Sequence, residues 1–382
     1  MVNSPIYLDC HATTPADPRV LEEMLPYFTE VYGNPASVTH AYGWTAEAAV
    51  KQSRGRIAAA IGADPTEIIF TSGATESNNL AIKGVAEAYF NQGKHLVTVE
   101  TEHRAVLDPL NYLETLGFDV TRLPVQRNGL VDLDQLAAAL RPDTILVSVM
   151  AANNEIGVLQ PLEAIGQLCH DRQILFHTDG AQAIGKIPLS VQTQNIDLLS
   201  LTAHKIYGPK GIGALYVRRK NPRVQLVPQL HGGGQERGWR SGTLPVPQIV
   251  GFGTALEIAL KEQEAENDRL RGLRDRLWQS LQVLDGVYLN GDLQHRLAGN
   301  LNISIEGIQG QALLLALQPH LAISSGSACT TAKVEPSHVL QALGRSRALS
   351  LASLRFGLGR FTTLEQIETA AQITIETIQS LR

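Results

Sequence analysis

The sequence predicts an α/β protein built on a mostly parallel sheet with helices over both faces. Three observations point there. Short apolar runs alternate with helical patterns through the first two thirds of the chain. The runs are β-branched or leucine-rich and end in polar or glycine turns, as buried strands do. The residues with the most chemistry follow the carboxyl ends of those runs, where open sheets of this kind hold ligands.

Pro5 and Pro15 make the first segment read as extended chain rather than helix. Strands are then expected at 68–71, 96–100, 145–150, 174–178, 196–201 and 213–217, with helices at 76–90, 105–116 and 162–171 between them. A long helix is expected from about Val250. Its Leu270, Leu273, Leu277, Leu281 and Leu284 recur at spacings of three and four, a core-facing stripe too short for a coiled coil. Past Asp285 and Gly286 the texture changes to a strand at 301–305, a helix at 311–318, Ser/Gly loops and a terminal helix from Thr363. The expected organisation is a large domain over 15–258. A smaller α+β domain then takes 1–14 and 259–382.

Composition narrows the function. The 382 residues carry 32 Lys and Arg against 37 Asp and Glu, a net charge of −5, which does not suit nucleic-acid phosphates. With 44% hydrophobic and 18% charged residues the chain is ordinary globular material. It has no uninterrupted apolar run of about 18 residues, so no membrane partner is expected. The opening MVNSPIYLDC does not read as a secretory signal. Three cysteines make no disulfide framework and suit a reducing compartment, so a cytoplasmic location is expected.

The run 68–71 leads into Ser72-Gly73-Ala74-Thr75-Glu76 and a helix. Small residues at such a turn leave backbone N–H groups open to an anion such as phosphate. Plain helix capping is the bland alternative. The run 174–178 meets Asp179, where a buried carboxylate needs a partner; a protonated ring nitrogen is one, a helix cap another. The run 196–201 meets Thr202-Ala203-His204-Lys205. A lysine there is placed to become a nucleophilic amine and is preferred over Lys210, which lies between Pro and Gly in the following loop. His103 follows 96–100 as a candidate ring-stacking partner or proton carrier, and the polar loop from Asn153 follows 145–150. Together these sites suit pyridoxal 5′-phosphate (PLP), with the lysine holding the cofactor and the carboxylate facing its ring nitrogen.

The chain resembles the fold-type I, class V aminotransferase family, and within it the NifS/IscS-like cysteine desulfurases. The resemblance spans nearly the whole chain. It rests on TSGATESNN at 71–79, TEHRAVLD at 101–108, NNEIGVLQ at 153–160, HTDGAQAIGK at 177–186 and HKIYGPKGIG at 204–213. RSGTLPVPQIVG at 240–251, SSGSACTTA at 324–332 and LRFGLGRFTT at 354–363 complete the set. The SGSAC segment marks the desulfurase group most specifically. The resemblance implies Lys205 as the Schiff-base lysine, Asp179 at the pyridine nitrogen, Gln182 at the ring hydroxyl and His103 stacked on the ring. It places the phosphate on Ala74 (backbone), Thr75, Thr202 and His204, with Thr243 reaching the phosphate of a neighbouring subunit in a homodimer. Asn154 and Arg355 would grip the substrate carboxylate, a task suited to the planar arginine fork. Cys329 would accept the sulfur of L-cysteine as a persulfide, leaving L-alanine. The sulfur would pass to an acceptor protein such as an iron–sulfur scaffold or a thiolation protein. Where many relatives have Ser and Gly, this chain has Thr202 and Ala203, which keeps the hydroxyl. It ends at Arg382, short of the segment through which housekeeping relatives dock a scaffold, so that docking mode is not expected.

Cys329 sits among Ser325, Gly326, Ser327 and Thr330, poor core material, so the functional reading is favoured over a buried thiol. Cys169 lies in a helical pattern and reads as core; Cys10 reads as structural. His231 and its three following glycines read as an active-site loop rather than a nucleotide site. The competing readings are another class V PLP aminotransferase or a cysteine/selenocysteine lyase, which has no use for Cys329, and a non-catalytic sulfur carrier.

Overall fold

A computed structural model describes residues 4–325 and 335–382. The central sheet contains β2 (Ile68–Thr71), β3 (His95–Val99), β4 (Asp119–Leu123), β5 (Thr144–Ser148), β6 (Leu175–Asp179), β7 (Leu198–Thr202) and β8 (Gly213–Val217). Their order is β2-β8-β7-β6-β5-β3-β4. The pairs from β7 through β4 are parallel, while β8 runs antiparallel to β2 and β7. Every strand but β4 is buried along its whole length. That is why these strands read as continuous apolar runs. β4 lies at the sheet edge with the sequence DVTRL and only Val120 and Leu123 buried, so it carried no such run.

Helices Ala74–Ala88, Arg104–Thr115 and Leu162–Asp171 follow strands β2, β3 and β5 in the chain. Helix Val246–Leu281 is 36 residues long and serves two apolar cores. Its first half buries Ile249, Val250, Phe252 and Leu256 in the core of the central sheet. Its second half buries Leu270, Leu273, Leu277 and Leu281 with Leu301, Ile303, Leu354 and Phe356. Pro247 fits the first turn of this helix, where a missing N–H costs nothing.

The second core is backed by an antiparallel sheet. It contains β9 (Val287–Leu289), β10 (Asn300–Ile305), β12 (Ser324–Ser325) and β13 (Ser353–Gly357), in the order β12-β13-β10-β9. The N-terminal strand β1 (Ile6–Tyr7) pairs in parallel with β11 (Leu321–Ala322), and Leu8 is fully buried in this core. Helix Leu364–Leu381 closes the second core with Ile367, Ala370, Ala371, Thr374 and Ile378. Thr363 and Gln366 form a capping box at its start. Among the described residues, no helix is long and apolar enough to cross a membrane.

Candidate active site

The strand tips β2, β6 and β7 converge on one cavity. After β2, Gly73 takes φ +151°, and no side chain caps helix Ala74–Ala88. Thr71, which precedes the turn, pairs its hydroxyl with Ser77 Oγ at 2.7 Å. The first-turn N–H groups of this 15-residue helix are therefore left to an anion. The turn packs tightly. A Cβ on Gly213 would lie 2.4 Å from the Leu201 carbonyl oxygen and 2.7 Å from Gly73 Cα, so only glycine fits. Glu76 would oppose an anion here, but Arg240 Nε donates to it at 2.8 Å and the Ser72 N–H at 2.8 Å. Burial pushes the Glu76 carboxyl up, and these donors outweigh burial and hold it below its ordinary value.

Asp179 ends β6. Its Oδ2 accepts from Asn78 Nδ2 at 2.7 Å and its Oδ1 from the Ala181 N–H at 2.9 Å. These two donors fix the carboxylate's direction. Gln182 donates its Nε2 to the His11 carbonyl at 2.8 Å, while its Oε1 faces His11 Nδ1 and Lys186 Nζ, each at 3.3 Å. Thr202 is buried, and His204 Nδ1 lies 3.1 Å from Thr13 Oγ1. Burial, then the charges of Lys205, Lys210 and Lys186, lower His204 to about 4, so its ring is neutral near pH 7. Lys205 is half-buried. Desolvation lowers its amine to about 8, with Asp179 pulling up and Arg355 pushing down. Such an amine is partly neutral, and so nucleophilic, near neutral pH.

His103 caps helix Arg104–Thr115, its Nδ1 accepting the Ala105 N–H at 3.0 Å. Desolvation and the charges of Lys205 and His338 lower it against the pull of Asp179. The neutral ring therefore carries its proton on Nε2 and offers that proton to the cavity. The sequence suggests His103 as a ring-stacking partner or proton carrier; while the cap holds, it is a donor.

Ala74, Thr75, His103, Asn154, Asp179, Gln182, Thr202, His204 and Lys205 all line the one cavity, of about 480 Å³. Lys210 also lines it but is exposed. Arg355 is beside the cavity rather than in its wall. Its Nη1 donates to the Asn154 carbonyl at 2.9 Å, and its Nη2 to Asp9 Oδ1 at 2.7 Å and Ser324 Oγ at 2.9 Å. Its Nε is buried and has no partner among the described residues. Thr243 is exposed and does not line this cavity. Cys329 lies outside the described residues. The described flanks of its segment both touch the site: Ser324 Oγ donates to Asp9 Oδ1 at 2.9 Å, and His338 Nε2 sits 3.0 Å from the Glu102 carbonyl. Cys10 and Cys169 are buried free thiols; burial lifts Cys10 to about 12 and Cys169 higher still. Neither is a nucleophile near neutral pH.

Sequence reasoning missed Asn78, Asp9 and Glu102. Asn78 stood inside a quoted motif, and Asp9 beside Cys10, but their partners lie 101 and 346 residues away. Glu102 is fully buried. Its Oε1 accepts the Met150 N–H at 2.6 Å, and its Oε2 has no partner among the described residues. Burial raises its carboxyl well above the usual carboxylate range, with the Met150 N–H pulling down and the charge of Asp179 pushing up.

An uncapped helix start with hydroxyls, a doubly held carboxylate, a soft amine and a neutral imidazole around one cavity is a donor set that fits PLP. The volume falls in the range of cofactor sites, roughly 300–1,000 Å³. The fold and this site define a fold-type I PLP enzyme. Residues 6–369 match the family model described as Aminotransferase class-V, and the chain belongs to that family. Enzymes of this family depend on PLP. The chain is 58% identical over 381 residues to a protein named Cysteine desulfurase IscS from Neisseria meningitidis, covering 100% of this chain and 94% of that one. A protein of the same name from Methylobacillus flagellatus is 58% identical over 382 residues, with the same coverage. Among solved structures, one titled NIFS-LIKE PROTEIN superposes with a TM-score of 0.92 at 38% identity, covering 99% of this chain and 100% of that one. One titled SspA in complex with cysteine has a TM-score of 0.82 at 39% identity, covering 94% and 100%.

Proposed function

We propose that this protein is a PLP-dependent cysteine desulfurase: L-cysteine and the Cys329 thiol give L-alanine and a Cys329 persulfide. The carrying observation is the convergence of Lys205, Asp179, His103 and the uncapped helix start on one cavity, in a chain 58% identical to proteins of that name. When bound, PLP supplies an electron sink for charge developing at the substrate's α-carbon. The Lys205 amine holds the cofactor. Asp179, aimed by Asn78 and Ala181, keeps a proton on the ring nitrogen. Ala74, Thr75, Thr202 and His204 hold the phosphate, and Gln182 faces the ring hydroxyl. His103 covers the ring and holds a proton at Nε2. Asn154 and Arg355 receive the substrate carboxylate. Arg355 stands beside the cavity, held to the Asn154 carbonyl, and Asp9 keeps its fork aimed. The Cys329 thiolate attacks the substrate sulfur, an S–S bond forms as the C–S bond breaks, and the carbon left behind takes up a proton.

The protein acts as a homodimer in which Thr243 completes the partner's phosphate site. Its exposed position outside its own cavity supports that reading, as do the exposed Leu25, Phe28, Tyr32, Tyr42 and Trp44. Residues 15–258 form the large domain, and 1–14 with 259–382 the small one, supported by the two separate apolar cores. The protein works in the cytoplasm and hands its sulfur to an acceptor protein such as an iron–sulfur scaffold or thiolation protein.

Incubation with L-cysteine tests the activity, with alanine measured and the Cys329 peptide weighed for one added sulfur. Cys329→Ala should keep the coloured cofactor and lose alanine production by a factor of about 10³ or more, a nucleophile's usual share. Full turnover by that variant would assign the chain to the lyase or aminotransferase reading. Borohydride reduction should label Lys205; a label on Lys210 overturns the lysine assignment.

A further inference from the structure

The N-terminal segment reaches the site through His11. On one side of it the Cys10 N–H donates to the Gly357 carbonyl at 2.9 Å, and on the other the Thr14 N–H donates to the His204 carbonyl at 2.9 Å. Between these two fastenings His11 is 3% exposed. It packs closely on β13: a Cβ on Gly357 would lie 2.8 Å from the His11 nitrogen and 3.1 Å from its ring Cδ2. Backbone and ring are thus held in place by the small sheet. Beside the ring lies a second cavity of about 40 Å³, lined in part by His11, Lys186, Lys205 and Gln263.

His11 meets Gln182, which lines the main cavity, at both ends of its amide. The His11 carbonyl accepts from Gln182 Nε2 at 2.8 Å, and the His11 ring Nδ1 lies 3.3 Å from Gln182 Oε1. Lys186 Nζ donates to the same Oε1 at 3.3 Å. These contacts fix which end of the amide is which. A carbonyl only accepts, so the NH2 group must face it; turned over, the amide would set oxygen against oxygen there and NH2 against the Lys186 amine. The end at the His11 ring is therefore oxygen, and Nδ1 carries the ring proton. Burial, then the charges of Lys186 and Arg355, push the ring's pKa well below the ordinary histidine value, so the ring is neutral and Nε2 is an acceptor. Among the described residues Nε2 has no partner, and neither has Gln263 Nε2, a buried donor on the same small cavity. A water takes about 10–15 Å³ and two to four polar neighbours, so this space admits one that receives from Gln263 and donates to His11. Of the two Gln182 N–H groups one goes to the His11 carbonyl, and the other has no acceptor among the described residues.

We propose that His11 is a positioning residue: by holding both ends of the Gln182 amide, it leaves Gln182 an N–H, and no oxygen, to offer the cofactor's ring hydroxyl. The inference rests on the PLP reading of the main cavity and deepens it. His11 is not in that cavity's wall and acts through Gln182 alone. A fixed donor favours the ring oxygen without its proton, because a hydrogen bond to a charged form stabilises that form. An amide free to turn would present its oxygen part of the time and favour the protonated form.

The test compares the absorbance of intact, PLP-loaded variants at one pH and needs no turnover. The ionised ring oxygen absorbs at longer wavelength than the neutral one, so the ratio of the two bands reads the donor. His11→Leu should lower the long-wavelength to short-wavelength ratio about threefold, the contribution of one neutral hydrogen bond. His11→Asn, whose amide N–H stands near the place of Nδ1, should keep the wild-type ratio. In Gln182→Leu, which has no amide to hold, adding His11→Leu should change nothing further. An unchanged ratio in His11→Leu overturns the proposal, as does an equal loss in His11→Asn. So does the same loss with and without Gln182, which marks a packing role. Should His11→Leu fail to fold, His11→Ala carries the same expectation. If the wild-type protein binds no PLP, the reading of the main cavity fails and this inference with it; PLP bound with an unchanged ratio in His11→Leu overturns the inference alone.

Discussion

At the scale of single residues, the site is a matter of which donor meets which acceptor. Asp179 has a direction because Asn78 and the Ala181 N–H hold its two oxygens. A hydrogen bond to a charged group contributes roughly 1.5–3 kcal/mol. Asn78→Ala should therefore weaken PLP binding by about ten- to a hundredfold, measured by fluorescence titration, with little change in fold by circular dichroism. Which strand tips bear chemistry was legible in the sequence: a lysine, a carboxylate and a histidine each follow an apolar run. The identity of their supports was not. Asn78 reaches Asp179 and Asp9 reaches Arg355 only because the chain folds back on itself over 101 and 346 residues, and no local pattern encodes such meetings.

At the scale of elements, the helix Ala74–Ala88 is the proposed anion site, and its first turn holds a contradiction. Glu76 puts a negative charge where the phosphate would sit, and Arg240 cancels it through contacts at 2.8 and 3.3 Å. Arg240→Met should loosen PLP about tenfold by restoring that repulsion, and Glu76→Gln in the same chain should recover most of the loss; PLP titration of the three variants checks this. Strand tips were readable to within a residue or two because buried strands show no alternation. β4 escaped because an edge strand in which Asp119 is exposed and Thr121 and Arg122 are only partly buried resembles a loop. The long helix was expected to start near Val250 and starts at Val246, since Pro247 sits comfortably in a first turn.

At the scale of the whole molecule, the two amines behind the cofactor affect stability. In the cofactor-free protein Lys205 and Lys186 both drop from 10.5 to about 8. Between those values the unfolded chain holds protons that the folded chain has released, so stability rises with pH there and the gain is absent below about 8. Cys10 and Cys169 oppose this from about 9 upward, their folded thiols keeping a proton until about 12 and beyond. The net gain falls between pH 8 and 9 and amounts to about 2 kcal/mol. Urea midpoints at the two ends of that window should show it, and Lys205→Met should halve it. The pairing of β1 with β11 has a consequence of another kind. During translation, Ile6 leaves the ribosome some three hundred residues before Leu321, its neighbour in register. Until that neighbour emerges, Leu8 has no core to enter, Asp9 has no arginine to hold, and the growing chain carries an uncovered apolar end that binding by a chaperone would shield.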